Sequence, residues 1–406
     1  MSVDLRTRSD GPPETFDPAR FFDHDLPTEL DARHAEVVPG TRWLDLRPMT
    51  IEVDGSSWTM SVSGDRVQVA PGSRPDAGLV RLELGQLEDL VHDQVTFMGM
   101  WSSGRLDQPS GRLRDALDWW LVLRAGLDGR PIHQPGAVAF HDRDGRPLDL
   151  RRTFAADDDR DEMRHFLEEA GFLHIEGVFT QEEMDAVSAD MDRAAPGYGP
   201  DDGRSWWART AGGEQKLVRM QGFDERSPAT DALVGDRRFL GLAEIPGDGH
   251  VFGARSHNRI EALFKPIGIV EGISDVPWHK DCSLGRHSYE CCSLTVGISV
   301  TGADEVSGQL RVRAGSHRAL IWSALDQPGC DLPVLDLPTR TGDITVHLSC
   351  TLHMAQPPVE RERRVMYSGF SLPPLDPGAA AAGRARLREV REAAPVTVSQ
   401  PPGHTG

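Results

Sequence analysis

Gly342-Asp343-Ile344-Thr345-Val346-His347-Leu348-Ser349-Cys350-Thr351-Leu352-His353 opens on a Gly-Asp turn and then alternates without interruption. Ile344, Val346, Leu348, Cys350 and Leu352 make an apolar face, and Thr345, His347, Ser349, Thr351 and His353 a polar one. A period of two marks a β-strand, whose successive side chains point to opposite faces. Because one entire face is polar, the strand is predicted to wall a wet cavity on that side and a core on the other.

Upstream, Trp278-His279-Lys280-Asp281 obeys the same parity. In an extended segment His279 and Asp281 point one way and Lys280 the other, so one short stretch offers an imidazole and a carboxylate to a common centre. His353 is the candidate third ligand. His-x-Asp alone is common on protein surfaces; its weight comes from the polar-faced strand that ends in His353. Two imidazoles and one carboxylate form the facial set of non-haem Fe(II) oxygenases, which leaves the opposite face of the metal open. Beyond the charged turn Val359-Glu360-Arg361-Glu362-Arg363, the run Arg364-Val365-Met366-Tyr367-Ser368-Gly369-Phe370 reads as another strand. Arg364 is placed to grip a carboxylate bidentately near the metal, with Arg361 and Arg363 assigned to the solvated turn.

Together these segments, with Glu168-Glu169-Ala170-Gly171-Phe172-Leu173-His174-Ile175-Glu176-Gly177 and Gly308-Gln309-Leu310-Arg311-Val312-Arg313-Ala314-Gly315-Ser316-His317, resemble the phytanoyl-CoA dioxygenase family of Fe(II)/2-oxoglutarate oxygenases over residues from about 160 to 372. The resemblance implies iron ligands, and so catalytic residues, at His279, Asp281 and His353, and a 2-oxoglutarate-binding arginine at Arg364. It also implies oxidation of an unactivated C–H bond, with succinate and carbon dioxide as coproducts. Thr351, on the polar face beside His353, is a further candidate cosubstrate contact. Ala355 stands where the family often has a serine that touches 2-oxoglutarate, and Gly297 where some members have an aromatic residue; both departures predict an altered cosubstrate grip and a larger pocket. Related halogenases lack the carboxylate ligand, so Asp281 points to hydroxylation, with desaturation or cyclisation by the same oxidant left open.

With 406 residues, the chain has room for two or three domains. A formal net charge of −19 disfavours nucleic acid and anionic membrane surfaces as partners and leaves a small molecule as the expected one. Lysine occurs only at Lys216, Lys265 and Lys280, and Lys216 and Lys265 are candidate contacts for an anionic cosubstrate or substrate, against the commoner role of a surface lysine. Cys282, Cys291, Cys292, Cys330 and Cys350 lack paired spacing, so neither a zinc site nor a disulfide framework is expected. No leader-like segment or long apolar stretch is present, and the expected location is the cytoplasm.

The N-terminal part reads differently. Residues 1–29 are polar and expected to form a flexible arm. Over 30–130, Thr50 to Val62 alternates around Asp54-Gly55 as a hairpin, Leu79 to Leu84 is a strand, Gln86 to His92 a short helix, Met98 to Leu106 an apolar strand and turn, and Asp115 to Ala125 a helix. This order is similar to the sterol carrier protein type 2 fold, which implies a lipid tunnel and an acyl, lipid-like or carrier-bound substrate. Met98, Met100, Trp101, Trp119 and Trp120 are otherwise core residues. Residues 131–157 form a Pro-, Gly- and Asp-rich linker. Asp157-Asp158-Asp159 suits a helix N-terminus, and Thr180 with Glu183 makes a capping box. Residues 373–406 are a Pro- and Ala-rich tail.

The predicted architecture is an α+β N-terminal domain followed, over 158–372, by a mainly β double-stranded β-helix (jelly-roll, cupin-like) oxygenase domain with flanking helices. Two other functions compete: a non-catalytic lipid-binding protein with a vestigial site, and hydrolysis at zinc, for which no separate general base is apparent.

Overall fold

The structure is a computed structural model that describes residues 16–93, 95–102, 104–200, 202–253, 259–272, 275–281 and 293–373. Its N-terminal unit is built on β1 (Met49–Val53), β2 (Ser56–Ser63), β3 (Arg66–Pro71), β4 (Gly78–Leu82) and β5 (Asp107–Ser110), paired in the order β3-β2-β1-β4-β5. Asp54 (φ 49°) and Gly55 (φ 82°) turn the β1–β2 hairpin with both central residues left-handed, the backbone that matches strand twist. Helix α1 (Leu113–Asp128) buries Trp119 and Trp120 in this unit's core.

Three expectations for this region change. The flexible arm is helical from Pro18, because Phe21, Phe22 and Leu26 are buried there and Phe22 stacks on Trp58 at 4.9 Å; residues 1–15 lie outside the described residues. The predicted strand from Met98 begins instead as a helix, Phe97–Ser102, whose first turn is tied by the Gly99 amide donating to Thr96 Oγ1 at 2.9 Å. A short apolar run has no periodicity that separates strand from helix. Trp101 on that helix is 51% exposed and is not core.

The linker crosses to a large sheet that begins with β6 (Phe154–Ala155). Helix α2 (Arg160–Ala170) starts at Asp159, whose carboxylate caps the Asp161 amide, and stops at left-handed Gly171. Strand β7 (Phe172–Glu176) then leads to α3 (Gln181–Ala194), held by the reciprocal Thr180–Glu183 capping box. The remaining strands are β8 (Ser205–Thr210), β9 (Gln215–Gln221), β10 (Val251–Phe252), β11 (Ile260–Lys265), β12 (Ile269–Glu271), β13 (Ser293–Ser299), β14 (Leu310–Arg313), β15 (Val334–Leu337), β16 (Ile344–Leu348), β17 (His353–Ala355) and β18 (Arg363–Ser371). The large sheet runs β12-β8-β9-β11-β18-β13-β16-β7-β6, with β10 also on β18, and the small one β15-β14-β17. Leu294, Val296, Ile298, Ile344 and Val346 turn their apolar face into a core shared with α2 and α3. The opposite, polar face looks across a cavity toward the small sheet, as expected of a cupin-like fold.

Two contacts fix the frame. Gly342 (φ 85°) turns the chain into β16, and a Cβ there would lie 1.9 Å from the Phe179 carbonyl oxygen. Gly342→Ala combines a disfavoured φ with a backbone clash, and we expect it to cost roughly 2–3 kcal/mol, read as a lower melting temperature. The second contact joins the two units. Leu320, Trp322 and Ala324, from the segment between β14 and β15, are buried in the N-terminal core, where Trp322 Nε1 donates to Asp118 at 2.9 Å. Among the described residues, no helix is long and apolar enough to cross a membrane.

Candidate metal centre

The metal segment is pinned on both sides. The His279 amide donates to the His353 carbonyl and the His353 amide to the His279 carbonyl, both at 2.9 Å, while the Lys280 amide donates to Ser323 at 2.9 Å. This extended backbone enforces the parity read from sequence. His279 and Asp281 face the cavity, and Lys280 points away into the protein, where its ammonium donates to the Ser316 carbonyl at 2.9 Å. One ligand atom each of His279, Asp281 and His353 lies within 4.8 Å of the other two. Asp281 Oδ1 is 3.5 Å from His279 Nε2 and 3.6 Å from His353 Nε2.

The tautomers suit metal ligation. His279 Nδ1 donates to the Pro277 carbonyl at 2.7 Å and His353 Nδ1 to the Thr351 carbonyl at 2.9 Å. Each ring is thereby oriented, with its Nε2 lone pair directed at the shared centre. Burial, reinforced by the neighbouring His347 and His279, lowers His353 well below the usual imidazole range and keeps it neutral. Burial alone would raise Asp281, but the imidazoles of His353, His279 and His347 outweigh it and hold the carboxyl well below its usual range. Two oriented imidazole nitrogens and a carboxylate oxygen are a donor set that suits a divalent cation, so the three side chains fit a metal.

A cavity of about 360 Å³ opens over this centre. Arg219, Glu261, Leu263 and Lys265 from β9 and β11 line it, with Tyr367 from β18 and Ala355 from β17. Arg219 pairs with Glu261 at 3.0 Å. Thr295 on β13 donates to Asp281 Oδ2 at 2.6 Å.

Of the four candidate cosubstrate contacts, Lys265 lines this cavity, and Arg364, Lys216 and Thr351 are not brought here. Arg364 pairs in register with Phe264 while Arg363 pairs with Lys265, so strand parity puts Arg364 on the helix-facing side. Its guanidinium donates to Ser188 O and Oγ (2.8 and 2.9 Å) and to Asp192 (2.7 Å) on α3. Lys216 lies on the β8–β9 hairpin, where it pairs with Glu214 at 2.8 Å in solvent. Thr351 falls after β16 ends, in a turn that breaks the alternation, and its hydroxyl donates to the Gly171 carbonyl at 2.8 Å. The enlarged pocket expected at Gly297 is filled, since a Cβ there would meet Tyr367 Cε1 at 3.0 Å.

Two cations on the cavity side of the sheet, Lys265 and Arg363, are only 2% and 5% exposed. Arg363 Nε and Nη2 have no hydrogen-bond partner among the described residues. Lys265 lies 3.8 Å from Asp275 and is pushed down to about 7, by burial first and then by the charge of Arg363. Two buried like charges side by side are costly, and an incoming carboxylate relieves that cost, so this pair fits one end of a dicarboxylate. Sequence could have found Arg363 by counting parity back from Tyr367 and Gly369; it offered no sign that Phe264 and Lys265 would be the residues facing this strand.

The family model described as phytanoyl-CoA dioxygenase (PhyH) matches residues 167–365. Similar solved structures include the epimerase SnoN in complex with Fe3+, alpha ketoglutarate and nogalamycin RO, at 18% identity, covering 52% of this chain and 83% of that one with a TM-score of 0.41. AviO1 from Streptomyces viridochromogenes Tue57 is 20% identical, covering 59% of this chain and 98% of that one (TM-score 0.41). EctD from S. alaskensis with 2-oxoglutarate and 5-hydroxyectoine is 14% identical, covering 59% and 86% (TM-score 0.43). No curated protein matches the chain. The match spans just under half of the chain, and over residues 167–365 the sequence is similar to the phytanoyl-CoA dioxygenase family.

Proposed function

We propose that this protein is an Fe(II)- and 2-oxoglutarate-dependent oxygenase that hydroxylates a C–H bond of a small molecule. The observation that carries the reading is the convergence of His279, Asp281 and His353 on one centre, with both imidazoles oriented by backbone carbonyls. These three residues hold the metal on one face, and Lys265 with Arg363 takes the distal carboxylate of 2-oxoglutarate. When bound, iron and 2-oxoglutarate together supply an oxidant able to abstract hydrogen from an unactivated carbon. The chain's own part is to orient and to shield. Tyr367 packs over Gly297 to close one wall, and the Arg219–Glu261 pair lines another. Charged groups on that wall favour a substrate that carries polar groups beside its reacting carbon, compatible with the acyl or carrier-bound class expected from the N-terminal resemblance.

The test is anaerobic addition of Fe(II) with and without 2-oxoglutarate. A weak visible charge-transfer band is expected only when both are present, and His353→Ala should abolish it. A wild-type protein without the band refutes the assignment. Substrate-stimulated succinate release across polar, acyl and carrier-bound compounds would then identify the class.

A further inference from the structure

We propose that His347 is a positioning residue that, with Thr295, clamps the second oxygen of Asp281 so that the carboxylate meets the metal through Oδ1 alone. The proposal rests on the reading of His279, Asp281 and His353 as the metal ligands. His347 and Thr295 are register partners on β16 and β13, and both face the cavity. The His347 side chain is buried, its Nε2 lies 3.4 Å from Asp281 Oδ2, and its ring is 4.2 Å from that of His353. The carboxylate is divided between two environments. Oδ1 faces the Nε2 atoms of His279 and His353, whereas Oδ2 faces His347 and the Thr295 hydroxyl.

The tautomer separates His347 from the two ligand histidines. Those have Nδ1–H fixed on a backbone carbonyl, which frees Nε2. Neither ring nitrogen of His347 completes a hydrogen bond among the described residues, but Nε2 lies 3.4 Å from Asp281 Oδ2 whereas Nδ1 has no acceptor. A proton on Nε2 has an anionic oxygen 3.4 Å away, whereas one on Nδ1 would be buried with no acceptor. The proton therefore belongs on Nε2, and a protonated nitrogen donates rather than ligates. His347 is thus placed as a donor toward Asp281 rather than as a fourth ligand. With Oδ2 bonded to the Thr295 hydroxyl and faced by His347 Nε2 at 3.4 Å, the carboxylate would be kept from turning both oxygens toward a metal.

Co(II) titration followed by visible absorption tests this on the full-length protein without turnover. His347→Leu is expected to weaken Co(II) binding about 10–100-fold and to change the d–d spectrum, while His347→Gln, which keeps an N–H donor, should return affinity to within about threefold of wild type. Thr295→Val removes the other donor and should weaken binding in the same direction; it carries the test if His347→Leu does not fold. Wild-type affinity in His347→Leu, loss without recovery in His347→Gln, or unchanged affinity in Thr295→Val overturns the clamp. Failure of the wild-type protein to bind Co(II) more tightly than Asp281→Ala would instead refute the metal centre itself.

Discussion

Lys265→Met and Arg363→Met should each weaken 2-oxoglutarate binding by about two orders of magnitude, whereas Arg364→Met should leave it within about twofold. The contrast follows from strand register. Lys265 and Arg363 are opposite one another on β11 and β18, buried on the cavity side of the sheet, and Arg364 spends its hydrogen bonds on α3. Removing one member of a buried charge contact leaves the ligand carboxylate desolvated and under-paired, which is why the penalty is large. Equal losses in Arg364→Met and Arg363→Met would refute the assignment.

The same pair predicts a pH dependence. In the free protein Lys265 is pushed down to about 7, by burial and then by Arg363. A bound carboxylate favours the charged ammonium, so above pH 7 binding must take up a proton. The apparent Kd should be flat below that pH and rise up to about tenfold per unit above it, until the pH reaches the raised value of the complex. Calorimetry in buffers of different ionisation enthalpy would register the proton. Stability has a matching sign. Because the folded-state value lies below the ordinary 10.5, the unfolded chain binds more protons between the two values, and this group makes the ligand-free protein more stable as pH rises through that window. Lys265→Met should remove that slope and raise the melting temperature of the ligand-free protein while costing it cosubstrate.

Trp322→Ala should be the most damaging change outside the metal centre. Trp322 belongs in sequence to the oxygenase half and in space to the N-terminal core, and large-to-small changes at buried tryptophan cost about 3–5 kcal/mol. Two residues on, Ala324 bridges to His279, and the Leu325 amide donates to the Trp278 carbonyl at 3.0 Å. Loss of the anchor should therefore reach the metal segment, with weaker Co(II) binding in the protein that remains folded. Asp118→Asn, which leaves the indole in place and keeps an acceptor for it, should be far milder. Normal Co(II) affinity in folded Trp322→Ala would uncouple the two units. A fragment confined to 158–373 should aggregate, because it exposes Leu320, Trp322 and Ala324 together.

What could be read in advance was whatever depends on local parity. Alternation along Ile344 to Leu348 and the extended His279–Asp281 pair needed no partner to be legible, nor did the Asp54-Gly55 turn or the Thr180–Glu183 capping box. Arg364 was misassigned for a related reason: its neighbour Arg363 looked like part of a solvated turn, yet β18 starts at Arg363, and a shift of one residue exchanges inside for outside. Lys265 stood out as a candidate anion contact from its charge, but its place opposite Arg363 comes from pairing with a strand far along the chain, which no local pattern shows. Thr351 failed where a turn interrupts a strand that the pattern showed as continuous.

The orientation of each ligand histidine is written into its own short stretch of chain, since the carbonyl that fixes the ring comes from Pro277 for His279 and from Thr351 for His353. The walls that would meet a substrate belong to other strands, at Arg219, Glu261 and Leu263. Reactivity and selectivity are thus separately inherited. Replacing residues on β9 and β11 changes what fits without re-aiming either imidazole, so these strands are where a repertoire of new substrates should be sought by directed variation.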